Sequence, residues 1–128
     1  MSMIYHIAAA DALAAARQTG VYRTESLSGE GFIHFSNLHQ VLQVANRFYT
    51  GQNGLVLLEV DPSRLRAELK FEAPVHPASA APLPGSGQLF PHLYGPLNLD
   101  AVVAVYDFVP KAGGKFSLPA GLIAKDDH

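Results

Sequence analysis

A chain of 128 residues, 48% apolar and 16% charged, is about one domain long and can bury a core of its own. It contains no cysteine, which excludes disulfides, zinc thiolates and thiol catalysis. The net charge is −2 with Lys and Arg scattered along the chain, so there is no basic stripe for nucleic acid, and no apolar run nears the roughly 20 residues of a membrane span; the expectation is a cytoplasmic protein with a small-molecule partner.

In chain order, Ile4-Tyr5-His6-Ile7 reads as a first strand, with Ile4 and His6 on one face and Tyr5 and Ile7 on the other. The Ala-rich run from Ala8 to Thr19 favours a helix, closed by Gly20 at the C-cap. Val21 to Glu30 is a connector. Gly31 to Ser36 is a second strand, with Phe32, His34 and Ser36 on one face and Ile33 and Phe35 on the other. Asn37 and Gln40 then form a capping-box pattern, and Leu38, Val41, Leu42, Ala45, Phe48 and Tyr49 give an apolar helical stripe.

Leu55 to Val60 is nearly all apolar, which suits a strand covered on both faces. Asp61-Pro62-Ser63 is a turn, and Leu65 to Phe71 alternates as a half-exposed strand. Residues 73–88 are rich in Pro, Ala, Ser and Gly and read as a long loop. Phe90 to Leu97 is aromatic and Pro-bracketed, and Ala101 to Phe108 reads as a last apolar strand. The order β-α-β-α-β-β-loop-β, with both helices early, predicts an α+β fold on an antiparallel or mixed sheet. Residues 1–109 are expected to form one domain and 110–128 an appended tail.

Three histidines, His6, His34 and His92, stand among apolar or aromatic neighbours, whereas His39, His76 and His128 read as solvated surface. A strand histidine costs packing energy unless its ring nitrogens find partners. Imidazole can donate, accept, titrate near neutrality or bind metal. That leaves three chemistries open. One is a ligand pocket in which His6, His34 and Ser36 meet sugar hydroxyls while Tyr5, Phe35 or Tyr94 stacks on a base. Another is a three-histidine metal site, although none of the three forms a close local pair. The last is a two-histidine phosphodiesterase, for which His34-Phe35-Ser36 qualifies and His6-Ile7-Ala8 lacks the hydroxyl. Glu59, Asp61, Glu72 and Asp107 are dispersed and read as solvated strand and turn positions.

Ile4-Tyr5-His6-Ile7, Gly31 to Ser36, Val44-Ala45-Asn46-Arg47-Phe48, Leu55 to Pro62 and, most specifically, Phe90-Pro91-His92-Leu93-Tyr94-Gly95-Pro96-Leu97 together resemble the bacterial family called domain of unknown function 952. The resemblance covers residues 3 to about 108. That family is in turn similar to the ADP-ribosyltransferase superfamily, whose members split a twisted sheet around a cleft for bent NAD. The resemblance implies NAD or a related nucleotide as ligand and a transferase or glycohydrolase activity; the alternative it leaves is a non-catalytic nucleotide or small-molecule binding module. No metal is expected, since there is no cysteine and no close histidine pair. The resemblance also implies that Tyr5, His6, Phe35, Ser36 and Tyr94 contact the nucleotide, with His6 on a ribose hydroxyl and Tyr94 as a stacking wall. His34 and His92 are the catalytic candidates. The superfamily's late-strand glutamate has no aligned counterpart, since His92 and Tyr94 occupy that stretch and Glu72 is the nearest carboxylate upstream.

Overall fold

The computed structural model describes residues 2–73 and 89–122. Its elements run β1 (Ile4–Ala9), α1 (Ala10–Ala16), β2 (Val21–Tyr22), α2 (Glu25–Gly29), β3 (Ile33–His34), α3 (Val41–Phe48), β4 (Leu55–Val60), β5 (Glu68–Glu72), β6 (Phe90–Tyr94), β7 (Leu97–Asn98) and β8 (Val102–Phe108). The expected loop 73–88 lies, apart from Ala73, outside the described residues, as does the chain beyond Leu122.

β4 is apolar at nearly every position because it is the middle strand of a three-stranded sheet, β1-β4-β8, and is buried throughout. A second three-stranded sheet has the order β3-β6-β5, and β2 pairs with β7 as a two-stranded ribbon. Every described strand pairing is antiparallel, so the class is α+β. The two larger sheets meet where Tyr5 and Ser36 exchange backbone hydrogen bonds of 2.7 and 2.8 Å.

Strand alternation sorts the core into two halves. Ile4 and Ala8 of β1 and Val56, Leu58 and Val60 of β4 face one half, which includes Ile33, Phe35 and Leu93 from the inner face of the second sheet and Leu13 and Ala16 of α1. Tyr5 and Ile7 of β1 and Leu55 and Leu57 of β4 face the other, against Val41 and Ala45 of α3. The small sheet therefore keeps one face inward and one outward.

Local signals are realised with shifted boundaries. Asn37 Oδ1 accepts from the Gln40 amide and Gln40 Oε1 accepts from the Asn37 amide, both at 3.0 Å, so the capping box forms one turn ahead of α3. Gln40 Nε2 also donates to the Leu89 carbonyl at 2.8 Å, tying this turn to the start of β6. Gly20 has φ +81° and its amide donates to the Ala16 carbonyl at 2.8 Å, closing α1 as a C-terminal cap does. The helix starts later than expected because Ala8 and Ala9 pair with Val56 and Leu55; the sheet ladder overrides the alanines' helix preference. A short helix, α2, appears inside the expected connector, capped by the Thr24 side chain.

β8, read as a last apolar strand, is an edge strand with Val103 and Val105 exposed. One expectation is corrected. The segment after Pro110, read as appended, is integrated up to Leu122: Phe116 stacks on Phe108 with centroids 4.6 Å apart, its amide donates to Asn46 Oδ1 at 2.7 Å, and Phe116 and Leu122 are buried in the second core half. No described helix is long and apolar enough to cross a membrane.

Candidate functional site

The outward face of the β3-β6-β5 sheet follows from register. His34 is the cross-strand partner of His92, Lys70 is also a partner of His92, and Glu68 pairs with Tyr94. Alternation then places Phe32 and His34 of the β3 region, His92 and Tyr94 of β6, and Glu68, Lys70 and Glu72 of β5 on one surface. The intervening Ile33, Leu93 and Leu69 point into the core or pack against it. In the Phe90 to Leu97 motif, Leu93 and Leu97 are fully buried and Gly95 leaves room for Ala67, whose Cβ would lie 2.6 Å from any added Cβ. The motif is a strand with one core face and one polar face.

Two histidine–glutamate pairs sit on this surface. His92 Nδ1 lies 2.9 Å from Glu72 Oε1, and the Tyr94 hydroxyl donates to the same oxygen at 2.5 Å. A carboxylate only accepts, so the Nδ1 proton belongs to His92. The Tyr94 hydroxyl, then the His92 N–H, hold the Glu72 carboxyl below its usual range, while the same contact raises Tyr94. Both donors meet Oε1, and Oε2 has no hydrogen-bond partner among the described residues. Glu72 is thus an oriented anion with one free oxygen. Burial lowers the His92 imidazole, against the raising effect of Glu72, so near neutral pH it is an uncharged donor to Glu72.

The second pair is His34 Nε2 with Glu30 Oε1 at 3.0 Å. By the same reasoning Nε2 carries the proton, which in the neutral ring leaves Nδ1 as an acceptor. Glu30 Oε2 is buried without a hydrogen-bond partner among the described residues. Phe32 stacks on His92 at 4.1 Å and lies 4.8 and 5.3 Å from the His34 and Tyr94 rings. Lys70 Nζ stands 4.9 Å from the Tyr94 ring centre.

The structure separates the two catalytic candidates. The His34 side chain is 37% exposed, whereas His92 is 1% exposed beneath Phe32. Their ring centroids are 5.4 Å apart in an edge contact.

The other expected residues lie elsewhere. His6 does not open onto a pocket with His34. Its Nδ1 donates to the His34 carbonyl at 2.6 Å, which leaves Nε2 to accept from the Tyr22 hydroxyl at 2.9 Å. Its ring packs on Tyr22 and Phe35 at 5.3 Å each. Burial pushes its pKa down to about 4 and that of Tyr22 up to about 12. Both nitrogens are spent inside the core, so none is left for a ribose. Tyr5 donates at 2.8 Å to the buried Glu59, which Tyr106 also reaches at 3.2 Å, and burial raises the Tyr5 hydroxyl. Phe35 is a core residue, and Ser36 is buried in the bridge to Tyr5. Of the expected set, only His34, His92 and Tyr94 come together. Glu30, Glu72, Phe32 and Lys70 join them, and Glu59, also read as solvated, is buried.

Among the described residues no group of three His, Cys, Asp or Glu side chains is arranged to hold a metal.

Fold and site define a small α+β protein with antiparallel sheets and a histidine–glutamate surface on the smaller of its two main sheets. The chain belongs to the family described as Protein of unknown function (DUF952), whose model matches residues 7–105. It is similar to protein CC0527 of Caulobacter crescentus: the X-ray structure of that protein shares 32% identity at a TM-score of 0.79, covering 95% of this chain and 99% of that one. The solution NMR structure of the same protein shares 31% identity at a TM-score of 0.66, covering 90% and 91%. A comparison with curated proteins finds no match.

Proposed function

We propose that this protein is an ADP-ribosyltransferase-like enzyme that binds NAD or a related nucleotide on the outward face of the β3-β6-β5 sheet. The observation that carries the reading is the Glu72 carboxylate, fixed through Oε1 by Tyr94 and His92 and free at Oε2. Departure of a nicotinamide-type leaving group builds positive charge on the ribose carbon. A fixed anion that needs no reorganisation stabilises such charge best. Because Glu72 is held below its usual range it is a weak base, and its part is electrostatic: Oε2 accepts from a ribose hydroxyl and faces the developing cation. It fills the place that the sequence left without a glutamate.

His92 is a positioning residue, since it acts through Glu72. Tyr94 provides aromatic surface for a base. The split into two antiparallel three-stranded sheets agrees with the fold this reading requires. His6 and Tyr5 have no ligand role in it.

The test is a titration with NAD and ADP-ribose followed by backbone amide NMR, with nicotinamide release measured in parallel. Shifts at Phe32, His34, Glu72 and Tyr94, and release that falls at least about 100-fold in Glu72→Gln, are expected. No shift at millimolar nucleotide removes the nucleotide reading; binding without release in the wild type leaves a binding module.

A further inference from the structure

The Glu30–His34 pair has no part in fixing Glu72, and a simple surface ion pair would not look as it does. In an exposed pair, water reaches both carboxylate oxygens and the bond contributes little. Here one Glu30 oxygen is bonded to Nε2 and the other is sealed from solvent without a hydrogen-bond partner among the described residues. An unpaired buried acceptor costs about 1–3 kcal/mol. The imidazole it holds is 37% exposed and presents Nδ1, which has no partner among the described residues. A carboxylate behind one imidazole nitrogen fixes the tautomer of the neutral ring, and the second nitrogen of this partly exposed ring is then placed to accept a proton as a general base does.

Its placement supports the same role. His34 and Glu72 stand on strands that flank β6, His34 from β3 and Glu72 from β5. Register sets Lys70 across β6 from His34 and Glu72 two residues further along, so with about 4.8 Å between strands and about 3.4 Å per residue the two backbone positions are roughly 12 Å apart. The Phe32 ring, stacked on His92 and in edge contact with His34, covers His92 on this face.

We infer that His34, oriented by Glu30, is the general base that activates a hydroxyl nucleophile, water or an alcohol, for attack on the ribose carbon of the nucleotide. This rests on the reading of this face as the nucleotide site. In the step, the hydroxyl proton passes to His34 Nδ1 as the new carbon–oxygen bond forms. The carbon–nitrogen glycosidic bond breaks and its electron pair stays with the departing nicotinamide nitrogen, which loses its positive charge. Nothing is oxidised or reduced. His34 is the catalytic residue of this step; Glu30 is a positioning residue that sets the ring tautomer.

The experiment measures NAD cleavage and NAD affinity together, in water and in 2 M methanol, a concentration of about this order being enough for an alcohol to compete, for the wild type, His34→Asn, His34→Gln and Glu30→Gln. Amide spectra confirm that each variant is folded. Both His34 variants are expected to lower kcat by about 100-fold or more with the NAD Kd changed less than about threefold, a split that lost binding would not produce. Glu30→Gln is expected to lower kcat by about 10-fold and to move the imidazole nitrogen NMR signals of His34 away from the pure Nε2–H tautomer, which a merely structural glutamate would not do. Methyl ADP-riboside product in methanol, lost with His34, identifies an alcohol as an acceptor; its absence leaves water. Wild-type cleavage that survives in both His34 variants overturns the assignment while the nucleotide reading stands. Binding without cleavage in the wild type overturns it too. Absence of NAD binding overturns both.

Discussion

His6 and His34 touch, since the His6 ring donates to the His34 carbonyl, yet they belong to opposite kinds of region. His6 projects into the core between the two sheets, with both ring nitrogens bonded to fixed partners and its pKa pushed down to about 4. His34 projects from the outer face of the second sheet, with one nitrogen on Glu30 and the ring partly exposed. Each sits on a strand among apolar neighbours, and the sequence environments are alike. What separates them is whether the covering layer lies on the side to which the ring points. A histidine whose two nitrogens are satisfied by protein works as a shaped polar core residue; one with a free nitrogen at the surface keeps its chemistry.

The sharpest way to break this comparison is to remove both rings in turn. His6→Ala should cost about 4 kcal/mol, from the cavity and from leaving the Tyr22 hydroxyl and the His34 carbonyl without their partner. Urea unfolding that shows a loss under 1 kcal/mol would mean the core absorbs the change and His6 is no keystone.

Acid should act on the same residue. The folded state protonates His6 near pH 4 and the unfolded chain near pH 6.5, so between these values the unfolded chain binds the extra proton and stability falls as pH falls. The contribution is complete above about pH 6.5 and lost by about pH 4. A depression of 2.5 units at about 1.4 kcal/mol each amounts to about 3 kcal/mol. Urea unfolding from pH 7.5 to pH 4 should show this slope in the wild type and a much shallower one in His6→Gln; equal slopes would place the acid sensitivity elsewhere.

His92 tests the intermediate case, as it is buried under Phe32 yet bonded to a carboxylate at the surface. His92→Ala should cost about 2 kcal/mol, less than His6→Ala because a single side-chain partner is stranded. The smallest effects belong to the outer face. Tyr94→Phe should change stability by less than about 1 kcal/mol, but should move the Glu72 carboxyl titration upward, since the Tyr94 hydroxyl is the largest influence holding it down. A carboxyl-carbon NMR titration that stays put would show that Glu72 is not fixed by this contact. His34→Ala, which takes the Nε2 donor from the Glu30 carboxylate, should cost about 1 kcal/mol, and a loss above about 3 kcal/mol would make the Glu30 pair chiefly structural.

Local patterns carried much of the fold. The alternation at Phe32–Phe35 placed His34 on the face opposite Ile33 and Phe35, the continuous apolar run marked Leu55–Val60 as a strand covered on both faces, and Asn37 with Gln40 announced a capping box that forms as written. These rest on short-range geometry: the two-residue period of a strand and hydrogen bonds between groups three residues apart. Pairing was invisible to them. Glu72 reads as a solvated strand carboxylate until β5 lies beside β6 and sets it against His92 and Tyr94, 20 and 22 residues further along. Phe116 and Leu122 read as tail until the chain turns back on α3 and Phe108.

The sequence by itself determined which side chains share a face within each strand and where the Gly20 cap and the Asn37–Gln40 capping box form, because those depend on neighbours a few residues away. Which face meets the core, and so whether His6, His34 or His92 keeps a nitrogen free, was decided by the stacking of one sheet on the other and by antiparallel register. Those are contacts between distant segments, formed because burying both apolar faces together removes the most surface from water.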